Sequence, residues 1–170
     1  MIAIAAVDNN WAIGNEGKLL FHIKEDMQRF RNTTMGNICV MGRKTLESFP
    51  GGRPLEGRVN MVFTRDKNYS KKGVITVSGI EEMNEKIAEL MNEDPNREVF
   101  LIGGDSIYHQ LIDECLAAYI TKVDYVYQAD AYFPDLEKKE GWELIDESEE
   151  YTSFDLAYTF NVYRNTGVKK

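Results

Sequence analysis

The sequence predicts an α/β fold, a three-layer sandwich with helices on both faces. Its central, mostly parallel sheet has about eight strands and ends in an antiparallel C-terminal strand. Three observations predict it. Short continuous apolar runs recur along the chain, beginning with residues 2–7 (IAIAAV), and such runs suit strands covered on both faces. Segments with apolar residues at helical spacing lie between them, the alternation that produces a parallel sheet with helical crossovers. Residues 142–163 instead alternate apolar and polar residues, which suits an antiparallel pair at the end of the sheet.

In chain order, residues 2–7 form the first strand. Residues 8–18, with Asn9, Asn10, Gly14 and Gly17, read as a loop. From 24 to 34 the spacing is helical, with Ile23, Met27 and Phe30 on one face. Residues 37–41 are a buried strand that Gly42 ends, and 43–49 a short helix. Pro50-Gly51-Gly52-Arg53-Pro54 is a loop by its chemistry. Strands follow at 59–63 and 74–77. Ser78 is placed to cap a helix in which Ile80, Met83, Ile87 and Leu90 recur, and Pro95-Asn96 ends it. Residues 99–102 are a strand running into Gly103-Gly104. Residues 106–112 are helical and 116–123 a further strand.

A chain of 170 residues, 43% hydrophobic, has the length and apolar content of one domain, taken as 1–170. No apolar run is long enough to span a membrane, and residues 1–10 lack the basic region of a signal peptide, so the expected compartment is the cytoplasm. Cys39 and Cys115 each sit in an apolar stretch, which argues against a disulfide framework or a zinc site. A net charge of −8 argues against non-specific nucleic-acid binding. The charge is uneven, however. Residues 1–70 hold ten Lys and Arg against seven Asp and Glu, so counter-charges for an anionic ligand belong in that part of the chain.

Four groups of residues could carry chemistry. Asp26 sits in the first turn of its helix and shares a flank with Phe30 one turn on. A solvated carboxylate favoured by the helix dipole is the ordinary reading of such a residue. Gly42-Arg43-Lys44-Thr45 follows a buried strand and opens a helix, a place suited to phosphate, or equally a solvated turn. Ile102-Gly103-Gly104-Asp105-Ser106-Ile107-Tyr108 repeats that geometry, and two glycines let backbone approach a ligand closely. A third glycine is missing, so this is not the dinucleotide fingerprint. Thr64-Arg65 ends a strand at the ligand-facing edge of an α/β sheet, and Arg58 begins that strand.

Taken in this order the segments resemble the dihydrofolate reductase family, bacterial type. The resemblance rests on Ala5-Ala6-Val7-Asp8, Ile13-Gly14, Asp26-Met27 with Phe30, and Val40-Met41-Gly42-Arg43-Lys44-Thr45-Leu46-Glu47-Ser48. It continues through Arg53-Pro54-Leu55, Gly57-Arg58, Thr64-Arg65, Ile102-Gly103-Gly104 with Tyr108, Thr121 and Phe133-Pro134-Asp135, and so covers essentially the whole chain.

The resemblance implies an NADPH-dependent enzyme that reduces 7,8-dihydrofolate, delivering hydride to C6 and a proton to N5. It implies dihydrofolate and folate-like inhibitors as ligands, no nucleic-acid or membrane partner, and a monomer. Asp26 and Thr121 would be the catalytic pair. Asp26 would hold the pterin N3–H and 2-amino group, and Thr121 would fix the carboxylate. Ile4, Ala6, Met27, Phe30, Phe49, Leu55, Ile102 and Tyr108 would line the substrate site, and Arg58 would grip the carboxylate of the glutamate tail. The cofactor would lie along Ala6, Ile13, Gly14, Leu19, Gly42, Arg43, Lys44, Thr45, Thr64, Arg65, Ile102, Gly103, Gly104, Asp105, Ser106, Ile107 and Tyr108. Within that set Arg43, Lys44 and Arg65 would surround the 2′-phosphate. The family holds the Gly-Gly turn in a cis peptide.

Three positions depart from the family pattern. Leu19-Leu20-Phe21 stands where Leu-Pro-Trp is usual, so the mobile loop lacks proline's fixed φ and Phe21 lacks the donor that holds a water near the pterin. Asp105 places a carboxylate just beyond the glycines, either pointing away or capping the next helix. Competing readings are a reductase of the same fold acting on a ribosylated pyrimidine, a non-catalytic nucleotide-binding protein, and a flavin module. Asp26 and Arg58 favour a pterin with a glutamate tail over the first, the Asp26–Thr121 pair disfavours the second, and the lack of a flavodoxin-type phosphate loop disfavours the third.

Overall fold

A computed structural model describes residues 1–167, so the expected domain of 1–170 includes three residues, 168–170, outside the described ones. The apolar runs become the middle of a nine-stranded sheet. Its strands are β1 (Ile2–Val7), β4 (Ile38–Gly42), β5 (Val59–Phe63), β6 (Val74–Val77), β7 (Val99–Gly103), β8 (Ala117–Val123), β10 (Trp142–Glu147), β11 (Tyr151–Ser153) and β12 (Leu156–Asn165). The order is β10-β12-β8-β1-β7-β4-β5-β6, with β11 on β12. Strands β8 to β6 along that path are parallel, whereas β12 runs antiparallel to β8, and β10 antiparallel to β12. The expected sheet and its antiparallel end are therefore present, although the tail contributes three strands rather than a pair.

Four helices cover the sheet: α1 (Lys24–Thr34), α2 (Arg43–Ser48), α3 (Ile80–Glu93) and α4 (Asp105–Leu111). Side-chain alternation along the strands separates two cores. Ala3, Val7, Ile38, Val40, Met61, Leu101, Ala118 and Ile120 face Met83 of α3 and Ile107, Tyr108 and Leu111 of α4. Cys39, Met41 and Val62 face Leu46 of α2 on the other side, with Phe49, Leu55 and Ile102 partly buried against them.

Two expectations are corrected. Residues 8–18 are not simply a loop: β2 (Ala12–Asn15) pairs with β3 (Lys18–Leu19) and with β9 (Ala131–Tyr132) in a small separate sheet. Nothing local announces this, because the partner β9 lies more than a hundred residues away and β3 has only two residues. Nor does Ser78 cap α3. Gly79 holds the N-cap position without a side-chain bond, and Glu82 reaches back to accept from the Ser78 N–H at 2.9 Å and Oγ–H at 3.0 Å.

Candidate active site

The site is built on the face covered by α1 and α2. Helix α1 has Glu25 and Asp26 in its first turn and Arg31 in its last, the arrangement the dipole favours. Its start has no side-chain cap. It is held by Ile23, 2% exposed, which is buried with Val123 and Tyr158 while Phe21 packs alongside. That anchor turns Asp26 toward the sheet. Ile120 faces the α3–α4 core, so Thr121 points to the opposite side. The Thr121 Oγ–H donates to Asp26 Oδ1 at 2.5 Å, across 95 residues of sequence. Burial pushes the Asp26 carboxyl above its ordinary range, while the Thr121 bond and the Arg29 charge pull it back.

Register then sets the neighbours. Ala6 lies beside Thr121, and Ile4 beside Tyr119, two positions along the same edge of β1. Ile4, Ala6, Thr121, Ile102, Phe49 and Leu55 thus belong to the face that carries Asp26. Met27 and Leu19 are among the exposed large apolar side chains, at 53% and 65%, and Phe30 is half-buried. Arg58 follows Gly57, whose φ of 74° suits glycine and whose Cβ, were there one, would meet the Met35 sulfur. Arg58 Nη1 donates to Thr34 Oγ at 3.3 Å and Nε to the Glu56 carbonyl at 3.0 Å. This places the guanidinium at the C-terminal end of α1.

Farther along the sheet, β4 and β7 finish side by side at Gly42 and Gly103, and the Gly103–Gly104 peptide is cis. A Cβ on Gly42 would lie 2.8 Å from Ile107 Cγ1, and one on Gly104 would lie 3.3 Å from Thr45 Oγ1. Only glycine lets the strand ends and the two following helices come this close. Arg43 and Lys44 directly follow β4, and Arg65 lies just past the end of β5, which pairs with β4; all three are exposed. The Arg43 side chain is braced by Glu47 at 2.8 Å, by Asp66 at 3.3 Å and by the Tyr69 ring at 4.6 Å. Lys44 and Arg65 form no ion pair among the described residues.

The other predicted site residues lie on α4, on the β2–β3 hairpin and at the end of β5. Tyr108 and Ile107 are buried in the α3–α4 core, and the Tyr108 hydroxyl donates to the Ile4 carbonyl at 2.6 Å. Ile13 packs against that same core, whereas Gly14 lies inside the β2–β3 hairpin. Ser106 is exposed on α4 and Thr64 is half-buried after β5. Asp105 does not cap α4: its Oδ2 accepts from the Tyr132 N–H at 2.7 Å. Both cysteines are buried, and burial pushes their thiols up to about 11 for Cys39 and about 12 for Cys115, so neither is an activated nucleophile.

Two supporting residues were given no role by the sequence reading, although Asp8 stood in one of its matching segments. Asp8 is fully buried and accepts from the N–H groups of Asn10, Ala12 and Tyr127 at 2.8–2.9 Å, holding the turn in which Trp11 takes φ 64°. Asn60, 3% exposed, exchanges two 2.9 Å bonds with the Leu55 backbone and donates to the Arg58 carbonyl at 3.1 Å. The available signal was a polar residue set in or against a buried strand, which must find partners.

The family described as Dihydrofolate reductase matches residues 1–165. The chain belongs to the dihydrofolate reductase family. A relative named dihydrofolate reductase, from Neisseria gonorrhoeae, is 34% identical over 160 residues, 94% of each chain. One of the same name from Staphylococcus haemolyticus is 35% identical over 131 residues, covering 77% of this chain and 74% of that one. A solved dihydrofolate reductase from Enterococcus faecalis, complexed with NADP(H) and RAB-propyl, superposes with a TM-score of 0.80 at 30% identity, covering 96% of this chain and 94% of that chain.

Proposed function

We infer that this chain is an NADPH-dependent dihydrofolate reductase, converting 7,8-dihydrofolate to 5,6,7,8-tetrahydrofolate for one-carbon metabolism. The observation that carries this is the half-buried Asp26 carboxylate, fixed by Thr121 on an otherwise apolar face. It is the acceptor a pterin's N3–H and 2-amino donors require. Its role is to orient the ring and to support positive charge on it. Ile4, Ala6, Met27, Phe30, Phe49, Leu55 and Ile102 supply the apolar walls. The proton for N5 comes from water, because Asp26 is committed to the other edge of the pterin.

The cofactor's fit rests on the glycine contacts at the ends of β4 and β7, where side chains would fill the space between α2 and α4. NADPH, when bound, supplies the hydride. Gly42, Thr45, Gly103, Gly104 and Ser106 would line its pyrophosphate with N–H and hydroxyl donors, and Arg43, Lys44 and Arg65 would take the 2′-phosphate. Leu19, on the exposed hairpin, would cover the nicotinamide and exclude water. Arg58, half-buried so that desolvation lowers its pKa, would take the tail carboxylate of the substrate or of a folate-like inhibitor.

We read residues 1–170 as one domain acting as a monomer; support for the domain is the single family match over residues 1–165. The two buried free thiols suit the reducing cytoplasm. The test is the absorbance of NADPH with purified protein. We expect oxidation only when dihydrofolate is also present, and a folded chain that leaves NADPH unchanged overturns the reading.

A further inference from the structure

The β2–β3 hairpin carries Leu19, and its inner strand meets the body of the protein through Ala12, bonded to Asp8, and through Ile13, while both residues of β3 are exposed. On its far side it is also held by β9. Tyr132 and Ala131 pair with Ala12 and Gly14, the Phe133 N–H donates to the Trp11 carbonyl at 2.8 Å, and the Asp130 N–H to the Gly14 carbonyl at 3.1 Å. Asp130 Oδ2 accepts from the Glu16 N–H at 3.0 Å. The fixed point of β9 is in turn on α4. The Phe133 ring lies 4.6 Å from that of Tyr108, and the Asp105 carboxylate takes the Tyr132 N–H at 2.7 Å. Its other oxygen lies 3.3 Å from His109 Nδ1, one helical turn on, which sits closer, at 2.8 Å, to the Asp105 backbone carbonyl.

We propose that Asp105 is a positioning residue for hydride transfer, tying the hairpin that bears Leu19 to the glycine turn at the end of β7 through the Tyr132 amide. The inference rests on the function proposed above, because Leu19 matters only if a nicotinamide lies beneath it. The physical reason is connectivity. Asp105 follows Gly103-Gly104 directly, and one bond from its side chain fixes the strand on which the hairpin is built. Without that bond, the anchor that remains here is the packing of Phe133, just past β9, on Tyr108 of α4, and ring packing fixes distance better than register.

The test has two readouts. Amide exchange in the unliganded chain reports on the strut without any assay of activity. In Asp105→Ala the amides of Gly14, Glu16 and Tyr132 should exchange roughly three- to tenfold faster, the span a single hydrogen bond covers. Amides of β4 and β5 should exchange at the parent rate. Asp105→Asn, which keeps an acceptor, should recover most of the protection. Hydride transfer at saturating NADPH and dihydrofolate should fall by a similar factor in Asp105→Ala, by more than the Kd for NADPH rises, and Asp105→Asn should recover most of it. Faster exchange throughout the sheet would make Asp105 a general stabiliser and overturn the proposal, as would parent-like exchange in the hairpin. A parent chain that fails to oxidise NADPH, with the hairpin loosened as expected, would reject the reductase reading but leave the strut standing.

Discussion

Replacing Asp26 with Asn should separate stability from activity, moving them in opposite directions. Asn keeps an oxygen for the Thr121 hydroxyl, so the 2.5 Å bond has a counterpart in the variant. What disappears is the negative charge, and with it one of two acceptors for the pterin, since the amide presents N–H groups there instead. A hydrogen bond to a charged group is worth roughly 1.5–3 kcal/mol, so kcat/KM for dihydrofolate at neutral pH should fall roughly ten- to a hundredfold or more. Stability follows the opposite sign. Burial raises the carboxyl above its ordinary value, so the folded chain prefers the protonated form. Its contribution to stability is complete below the unfolded pKa and is lost as pH rises through the raised one. At neutral pH the parent therefore carries the cost of a partly desolvated charge, which Asn does not. The melting temperature of the variant should therefore lie above that of the parent at neutral pH. The difference should close as pH falls toward the ordinary carboxylate range. Steady-state kinetics and thermal melts across pH measure both. A folded variant with parent-like turnover would refute the role of Asp26. A variant less stable at neutral pH, with no convergence in acid, would refute the account of its burial.

Arg43→Ala with Arg65→Ala should raise the KM for NADPH roughly tenfold or more and barely change that for NADH, because only the 2′-phosphate needs both charges. An equal change for both cofactors would misplace the phosphate. Gly42→Ala forces a Cβ to within 2.8 Å of the buried Ile107, and such overpacking should cost roughly 1–3 kcal/mol by denaturant melts. Weaker NADPH binding should accompany it. Phe21 lies 5.6 Å from the Tyr127 ring, half-buried beside Ile23, Val123 and Tyr158. Phe21→Ala should therefore destabilise by roughly 1–3 kcal/mol, below the range for a fully buried ring, and should slow hydride transfer by loosening the start of α1. Phe21→Trp should preserve activity. Parent-like melts and pre-steady-state rates in Phe21→Ala would detach this residue from the site.

Most of the main sheet was legible because its signals are local. A strand buried on both faces must be apolar throughout, as Ile2–Val7 is, and a helix such as Ile80–Glu93 must repeat its apolar face every turn. The boundaries shifted by a residue or so, as at Ile38–Gly42 and Asp105–Leu111, because hydrogen bonding rather than side-chain pattern ends an element. The candidate residues were found in the same way, as chemistry placed at strand ends and first turns. Resemblance supplied the roles that spacing could not.

The tertiary structure decided everything that depends on contact between distant segments. Asp26 and Thr121 are 95 residues apart, and only the register of β8 on β1, with α1 laid across them, brings hydroxyl to carboxylate. The direction of Asp105 depended on a strand 27 residues away that has no periodicity of its own. The partner of the Tyr108 hydroxyl was equally hidden: it donates to the Ile4 carbonyl of β1, 104 residues away, and the ring borders Gly103. Pattern along a chain encodes which face is buried. Which distant group meets a buried polar atom is fixed by strand order and register, and these exist only once the sheet has formed.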